Sequence, residues 1–442
     1  MTPAKPFDVA IIGGGFSGLA VLANLVRLAE KPLSIALISR DALGHFGPAY
    51  STMKPEHLLN VRAGGMGIFA AHPGDFFHWC RDNAVEGIAP AAFVPRMVYA
   101  RYLQSVLDET LRLATEKNIC FRFFQTEAEG VSSQDHYAIV TPDGPISALN
   151  IVLAIGNSLK AAAEKPIPGL VTTPWDYDYK QLPPNGHVAI IGGGLTAVDC
   201  IISILKTGWD GKISCYSGSG LLPRAHLADF NADKTVKSPP LMDNDMRLSR
   251  LFGKVLKIIR NAGVEWQYAI DGLRPQTQAL WKSLSLRDKH RLAEKYFTRW
   301  NVHRHRFAPE IAEKISAAMA RGQLQVIKAR CGRPEPDGER ISFEIGREKQ
   351  RNAFDLAFQC TGVNYRFDSN PLLKKLEADK LLQPDETGYG IVVGDDFSGH
   401  TNAMGKIYAL GAPLFGQLFE TTAVPELRFQ ADAVARELTP AL

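Results

Sequence analysis

The strongest constraint on this chain is a glycine-rich turn that occurs twice, each time between an apolar run and a helix-like pattern. In the first copy, the apolar residues 8–12 (DVAII) lead into Gly13, Gly15 and Gly18, which have the spacing GxGxxG. The first glycine of such a turn allows the tight bend, and the second lets the backbone approach a pyrophosphate. The third lets the helix pack closely on the strand.

The second copy begins with the apolar residues 187–191 (HVAII). They lead into Gly192, Gly194 and Ala197, a GxGxxA variant of the same spacing. One such fingerprint is weak evidence, but two in strand–turn–helix context are strong evidence. The sequence therefore predicts two dinucleotide-binding sites.

Each copy is followed much later by a buried-strand pattern that ends in glycine, at residues 151–156 and 358–362. Alternating strand and helix patterns of this kind predict an α/β fold. We expect two Rossmann-like domains, the second inserted in the first, and a helical insertion able to cover a cleft. The expected boundaries are 1–160 and 363–442 for the first domain, 161–362 for the second, and 229–321 for the helical insertion.

Composition excludes several other classes. The 442 residues carry 50 Lys and Arg against 46 Asp and Glu, too balanced for a nucleic-acid-binding surface. No run of 18 apolar residues indicates a membrane span, and the N-terminus does not resemble a signal peptide. The six cysteines show no CxxC or zinc-ligand spacing, so we expect no metal, no disulfide framework and a cytoplasmic location.

Two dinucleotide sites in one chain indicate a tightly held FAD and an exchangeable NADPH or NADH. The usual chemistry of this pair is hydride transfer from the nicotinamide to the flavin. The reduced flavin then needs an acceptor. Because the sequence shows no close cysteine pair, oxygen, a quinone or an organic molecule remains.

Seven short stretches carry a family resemblance that runs nearly end to end. The chain resembles the two-dinucleotide-binding flavoproteins, and in particular the FAD/NAD(P)-binding group that includes flavin-dependent urate hydroxylases and aspartate N-hydroxylating monooxygenases. The stretches are GPAY (47–50), HLLNV (57–61), FVPR (93–96), GLTAVD (194–199), LLPRAH (221–226), WNVHRHR (300–306) and ETTAVPE (420–426).

This resemblance implies positions for the flavin. Gly13, Gly15 and Gly18 would hold the FAD pyrophosphate. The loop 57–66 and a C-terminal segment containing Gly411 and Thr421 would flank the isoalloxazine ring. Asn60 would form a hydrogen bond near the flavin or the substrate. Alternatively, its side chain would only form hydrogen bonds to the backbone of its own loop.

The ribose corners, meaning the positions at the end of the second strand of each unit that contact the adenosine ribose, depart from the usual pattern. Ser39, followed by Arg40, stands where a dinucleotide site usually has Asp or Glu. In the second site, Ser217 and Ser219 stand where arginines select the 2′-phosphate of NADP. Arg224 or an arginine of the insertion could serve that phosphate instead, so both NADPH and NADH remain open.

A third departure concerns mechanism. Flavin monooxygenases of the Baeyer–Villiger and N-oxide kinds carry a histidine in a signature before their second glycine motif. This chain has Ile167, Gly169, Thr173 and Tyr177 at the spacings of that signature, either as a coincidence in a linker or as the signature with threonine in place of histidine. In the second case the missing imidazole argues against a direct copy of that mechanism.

The catalytic candidates are Asn60, Arg224 and His226, because the last two follow the second site at the expected cleft edge. The basic cluster 299–306 is either an anion-binding surface or a solvated helix face. On a helix, Trp300 and Arg304 would share one side.

We predict an FAD-dependent NAD(P)H monooxygenase that uses oxygen to hydroxylate a small polar, anionic molecule. The resemblance implies urate or an amino acid such as aspartate as first candidates. Two alternatives remain: a flavin-dependent NAD(P)H dehydrogenase or oxidase without oxygenation, and a non-catalytic dinucleotide-binding protein.

Overall fold

The computed structural model describes residues 5–157, 166–238, 241, 247–402 and 405–439. Its strands are β1 (Phe7–Ile12), β2 (Ser34–Ser39), β3 (Cys120–Gln125), β4 (Gly130–Ser133), β5 (Tyr137–Val140), β6 (Ile146–Leu153), β7 (Leu170–Val171), β8 (His187–Ile191), β9 (Lys212–Ser217), β10 (Leu324–Lys328), β11 (Glu335–Asp337), β12 (Arg340–Ile345), β13 (Gln350–Phe354), β14 (Leu356–Gln359), β15 (Ser398–Thr401) and β16 (Lys406–Ala409).

The helices are α1 (Phe16–Leu28), α2 (Asp75–Asp82), α3 (Arg96–Glu116), α4 (Leu195–Lys206), α5 (Leu248–Asn261), α6 (Trp266–Asp271), α7 (Thr277–Ser283), α8 (Leu286–Arg291), α9 (Phe297–Arg304), α10 (Pro309–Ala320), α11 (Pro371–Ala378), α12 (Phe415–Leu418) and α13 (Val424–Leu438).

The first sheet combines both ends of the chain. Its strand order is β15-β16-β6-β1-β2-β3, with the β4–β5 hairpin attached to β6. The strands β16, β6, β1, β2 and β3 are mutually parallel. Such a sheet is covered on both faces, which explains the uninterrupted apolar sequence of β1. Helices α1, α3 and α13 supply much of one covering layer.

The second sheet has the order β10-β9-β8-β14-β7 and is parallel throughout. A three-stranded antiparallel sheet, β11-β12-β13, packs against one face through Phe343 and Phe354. These strand orders confirm the predicted α/β class with two Rossmann-like units. The domain boundaries stay a prediction, which the composition of the two sheets supports; the boundary at 160/161 lies outside the described residues.

The predicted insertion 229–321 contains helices of two kinds. Helices α5 to α9 surround a separate apolar cluster that also includes Phe415 and Phe419 of the C-terminal segment. Helix α10 instead packs against α4 through Ile311 and Ile315, as the crossover helix between β9 and β10. We therefore propose that the insertion ends near residue 307. Met246, part of its predicted helical pattern, lies outside the described residues.

Candidate functional site

The first glycine loop is shaped by two very close backbone contacts. Gly13 has a φ of +113°, and a Cβ there would lie 2.3 Å from the carbonyl oxygen of Ala154. A Cβ on Gly18 would lie 1.9 Å from the carbonyl oxygen of Gly13. Only glycine fits either position, so these two residues set the bend and the helix–strand packing.

Gly15 has a different role, because it immediately precedes α1. A Cβ on it would meet no atom closer than 3.6 Å. Among the described residues, the amides of Ser17 and Gly18 in the first turn of α1 have no hydrogen-bond acceptor. Unpaired amides at a helix N-terminus are suited to a phosphate group. The loop therefore fits the FAD pyrophosphate predicted for it.

The second loop repeats this geometry. Gly192 has a φ of +116°, and a Cβ there would lie 2.1 Å from the carbonyl oxygen of Cys360. A Cβ on Gly194 would meet no atom within 4 Å. Ala197 is fully buried where its helix packs on the sheet. The amides of Thr196 and Ala197 again have no acceptor in the described part of the chain.

The first ribose corner has one polar side chain in place. Ser39 lies at the end of β2, and its Oγ would be 3.0 Å from a Cβ built on Gly14. The guanidinium of Arg40 is largely exposed and faces Glu127 at 4.0 Å. So loose a surface ion pair contributes little, and it leaves Arg40 available to a ligand.

Gly411 and Thr421 are brought together by Gln430 of α13. The amide of Gly411 donates to Gln430 Oε1 (2.8 Å), and Gln430 Nε2 donates to Thr421 Oγ1 (2.8 Å). The Thr421 hydroxyl donates to the carbonyl of Gly411 (3.1 Å). The hydroxyl is therefore satisfied within the protein. Any contact between this turn and a flavin would use its backbone and the N-terminus of α13, which begins at Val424.

Arg428 joins this turn to the loop predicted to lie on the other side of the flavin. Its Nη1 donates to the carbonyls of Gly65 (3.0 Å) and Gly67 (3.2 Å). Its Nε is buried and has no partner among the described residues. Helix α13, which follows the turn, is thus in contact with the loop expected on the other side of the isoalloxazine ring.

Two of the three catalytic candidates meet. His226 Nε2 donates to the carbonyl oxygen of Asn60 at 3.1 Å, so the imidazole contacts the backbone of Asn60 rather than its amide side chain. Burial, and then the charges of Arg306 and Arg62, lower the pKa of His226 to about 3. A neutral His226 can orient the Asn60 loop through its N–H group. It is not an imidazolium at neutral pH and therefore does not act as a general acid there. Arg224 does not join them: its side chain is exposed, and its backbone pairs with Val302 and Phe307.

The helical insertion is fastened to the C-terminal segment by buried polar contacts. Arg304 forms an ion pair with Glu420 (3.1 Å), and Trp300 Nε1 donates to the same carboxylate (3.0 Å). Arg274 binds Glu426 with two nitrogens, at 2.7–2.9 Å. Trp300 and Arg304 do share one side of α9, as their spacing predicts. The basic cluster is therefore only partly a solvated face.

A cavity of about 360 Å³, a volume that includes space open to solvent, lies at this junction. Its wall combines aromatic rings with both signs of charge, and it reaches the turn at Thr421. Asn301 Oδ1 is buried there and has no hydrogen-bond partner in the described residues. The charged and polar lining residues include Asn301, Arg304, His305, Glu420 and Glu426.

Sequence reasoning missed a buried polar contact between the two domains. Arg96 pairs with Asp199 of α4 (2.8 Å), and Trp175 Nε1 donates to the same carboxylate (3.0 Å). His57 Nε2 lies 2.8 Å from Ser203 Oγ, also on α4. His57, Arg96 and Asp199 all belong to the stretches that carry the resemblance. Their occurrence in these stretches was the one sequence signal from which this contact could have been expected.

Thr173, metal-binding clusters and membrane-spanning helices were the remaining features considered from the sequence. Thr173 is exposed, and its carbonyl accepts from the amide of Asp176 in a turn. Within the described ranges, no three His, Cys, Asp or Glu side chains are grouped so as to hold a metal. None of the described helices combines the length and apolar character needed to cross a membrane.

Comparison with known proteins agrees with this geometry. Residues 10–158 match the model of a family described as FAD-NAD(P)-binding. No curated protein matches the sequence. Among solved structures, ornithine hydroxylase from Pseudomonas aeruginosa is similar, with 15% identity, a TM-score of 0.67, and 99% of this chain and 100% of that chain covered.

Two further structures show the breadth of the similarity. L-lysine 6-monooxygenase from Pseudomonas syringae has 14% identity and a TM-score of 0.66, with 99% and 100% coverage. Bacillithiol disulfide reductase from Staphylococcus aureus has 12% identity and a TM-score of 0.59, with 98% of both chains covered. At these identities the likeness concerns the fold. The family match confirms the predicted FAD and NAD(P) group for residues 10–158, within a chain that has the fold of these hydroxylases and reductases.

Proposed function

We propose that this protein is an FAD-dependent, NAD(P)H-consuming monooxygenase that hydroxylates a small polar molecule. The observation that carries the proposal is the cavity between the insertion and the Thr421 turn. Two dinucleotide loops alone would equally suit a reductase. A cavity beside the turn predicted to flank the flavin also provides a place where a substrate is partly shielded from bulk water.

The chain's own residues would hold the cofactors. The amides of Ser17 and Gly18 bind the FAD pyrophosphate, and those of Thr196 and Ala197 bind that of the nicotinamide. When bound, FAD supplies the redox chemistry: it accepts hydride and reacts with oxygen. If the ring lies beside the Gly411–Thr421 turn, as the resemblance implies, the N-terminus of α13 at Val424 would stabilise negative charge on it.

The cavity suits a substrate that carries both an amine and a carboxylate. Asn301 Oδ1 needs a donor, which an amine provides. Arg304 binds Glu420 through Nε, which leaves its Nη groups to donate to an anion. These features support an amino acid, with aspartate first. Urate remains a candidate, and the similar proteins named for ornithine and lysine add those two amines to the set.

Disulfide reduction is less well supported. Cys200 and Cys360 are neighbours in the fold, although far apart in sequence, and both are buried. The hydrogen bond with Cys200, and then burial, raise the pKa of the Cys360 thiol well above its ordinary value. A buried thiol with a raised pKa is a poor nucleophile.

The test is the oxidation of NADPH and NADH in air by flavin-loaded protein, with peroxide quantified. Urate, L-aspartate, L-ornithine and L-lysine are added separately. We expect one of them to accelerate oxidation while peroxide stays well below the nicotinamide consumed. Peroxide equal to the nicotinamide consumed under every condition would support the oxidase alternative, and absence of bound flavin and nicotinamide would support the non-catalytic one.

A pair of variants locates the substrate. Asn301→Ala should raise KM for the accelerating compound about tenfold, the loss of one hydrogen bond to a charged group. Arg299→Ala changes an exposed side chain on the same helix and should leave KM unchanged. Equal KM values for the two variants would place the substrate elsewhere.

A further inference from the structure

In the ribose corner of the second site, the polar groups are already hydrogen-bonded to one another. A nucleotide whose pyrophosphate lies at Gly194 places its adenosine ribose at the end of the next strand, β9. That strand ends at Ser217, whose hydroxyl lies 3.0 Å from both Ser219 Oγ and the carbonyl oxygen of Leu221. Residues 218–221, directly after β9, therefore offer no charge to a ribose phosphate.

Two cations reach this corner from the neighbouring strand β10, one at its last residue, Lys328, and one just after it, Arg330. Lys328 lies opposite Ser217 in the parallel register, and the amide of Ala329 donates to the carbonyl of Ser217 (3.1 Å). A Cβ built on Gly220 would lie 2.8 Å from Lys328 Cβ, and one on Gly218 would lie 3.8 Å from Arg330 Cγ. The stems of both side chains thus border the corner loop.

Both side chains are exposed, and neither forms an ion pair with any residue that the structure describes. Of the arginines that sequence reasoning offered for this task, Arg224 has an exposed side chain and a backbone held beside Val302 and Phe307. Three arginines of the insertion are already paired. Arg304 is paired with Glu420, Arg306 with Asp271 and Arg274 with Glu426.

We propose that Lys328 and Arg330 bind the 2′-phosphate of NADPH and make the second site selective for it over NADH. This inference rests on the proposed nicotinamide site and adds the residues that choose between the two dinucleotides. The cations would be supplied by β10 rather than by the loop after β9. A guanidinium and an ammonium beside a phosphate dianion form charge-assisted hydrogen bonds, which are stronger than hydrogen bonds between neutral groups.

The test is direct nucleotide binding, measured by calorimetry on the full flavin-loaded chain. The probes are 2′,5′-ADP, which carries the additional phosphate, and 5′-ADP, which does not. We expect the wild-type chain to bind 2′,5′-ADP about a hundredfold more tightly, since two contacts to a charged group each contribute roughly tenfold. The preference should shrink as salt is added.

Three variants complete the design. Lys328→Ala and Arg330→Ala should each weaken 2′,5′-ADP binding about tenfold and leave 5′-ADP binding within about twofold. Lys206→Ala removes an exposed lysine at the opposite end of α4 and should change neither. Because all three side chains are exposed, the variants should fold normally, which circular dichroism checks.

The outcomes separate this inference from the proposed function. Equal binding of the two probes by the wild-type chain, or unchanged 2′,5′-ADP binding in both β10 variants, would overturn the assignment of Lys328 and Arg330 while leaving a nicotinamide site in place. Failure of the wild-type chain to bind either probe would overturn the second site itself, and the proposed function with it.

Discussion

The two glycine loops share one backbone design but differ in how far the surrounding chain covers them. The carbonyl of Phe46 lies 3.6 Å from a Cβ placed on Gly15, whereas the equivalent Gly194 has no atom within 4 Å. The amide of Phe16 also donates to Phe46 (3.1 Å), so the loop after β2 closes over the start of α1. A covered loop suits a ligand that stays, and an open loop suits one that exchanges. This difference supports FAD at the first site and NAD(P)H at the second.

The largest effect on stability should come from a position in α1 and α4, the helices that follow the two glycine loops. At this position the two helices differ most in polarity. Asp199 on α4 corresponds to the buried Ala20 on α1, and it pairs with Arg96 of the other domain. Asp199→Ala leaves a buried guanidinium without a partner and should lower the free energy of unfolding by about 3–5 kcal/mol. Urea denaturation measures the loss. Asp432→Ala, which breaks a surface pair with Arg436, should cost less than about 1 kcal/mol. Similar losses for both variants would show that the domains do not depend on this contact.

The third glycine position gives a sharper comparison. Gly18→Ala places a Cβ 1.9 Å from the carbonyl of Gly13, so the backbone must shift. We expect a loss of about 3 kcal/mol, at the upper end for overpacking. The reverse change in the other loop, Ala197→Gly, should cost only about 1 kcal/mol. Thermal unfolding of the apoprotein checks both, and equal costs would mean that α1 and α4 pack alike.

The second glycine position tests which nucleotide each loop holds. Gly15→Leu should weaken FAD binding by about a hundredfold or more, because the side chain occupies the pyrophosphate position (about 2.7 kcal/mol). Gly194→Leu should leave the flavin bound and weaken 5′-ADP binding instead. Flavin absorbance after gel filtration and calorimetry are the two measurements. A yellow, fully loaded Gly15→Leu protein would refute the assignment of the first loop.

The last prediction concerns pH, at the edge of the second loop, and its effect is small near neutral pH. The pKa of His226 is lowered from 6.5 to about 3, so below pH 6.5 the unfolded chain takes up a proton that the folded chain does not. The stability that comes from the neutral imidazole is therefore complete above pH 6.5 and declines as the pH falls toward 3. His226→Gln should make unfolding free energy less dependent on pH in this window. His78→Gln, at an exposed position on α2, is the control, and identical pH profiles for both variants would argue against a buried neutral His226.

Local signals predicted most of the fold, and long-range contacts accounted for most of what was missed. The spacing of Gly13, Gly15 and Gly18 carries its own physical reason and located the first strand–turn–helix unit. The pairing of Arg96 with Asp199 joins residues 103 positions apart, and no periodicity encodes it. The sequence pattern does not separate α10 from the insertion, because α10 is amphipathic like its neighbours; its packing against α4 supports the proposed end of the insertion near residue 307.

The position of β16 in the first sheet has a consequence for synthesis on the ribosome. This strand pairs with β6, so residues 406–409 complete a sheet that begins at residue 7. The second sheet, which ends with β14 at Gln359, can close while the edge of β6 at Ile151–Leu153 still lacks its partner. Because domains fold as units during translation and open apolar edges invite aggregation, the nascent chain is most vulnerable between those two events. Truncation near the C-terminus would thus leave the nested domain intact and the enclosing one unfinished.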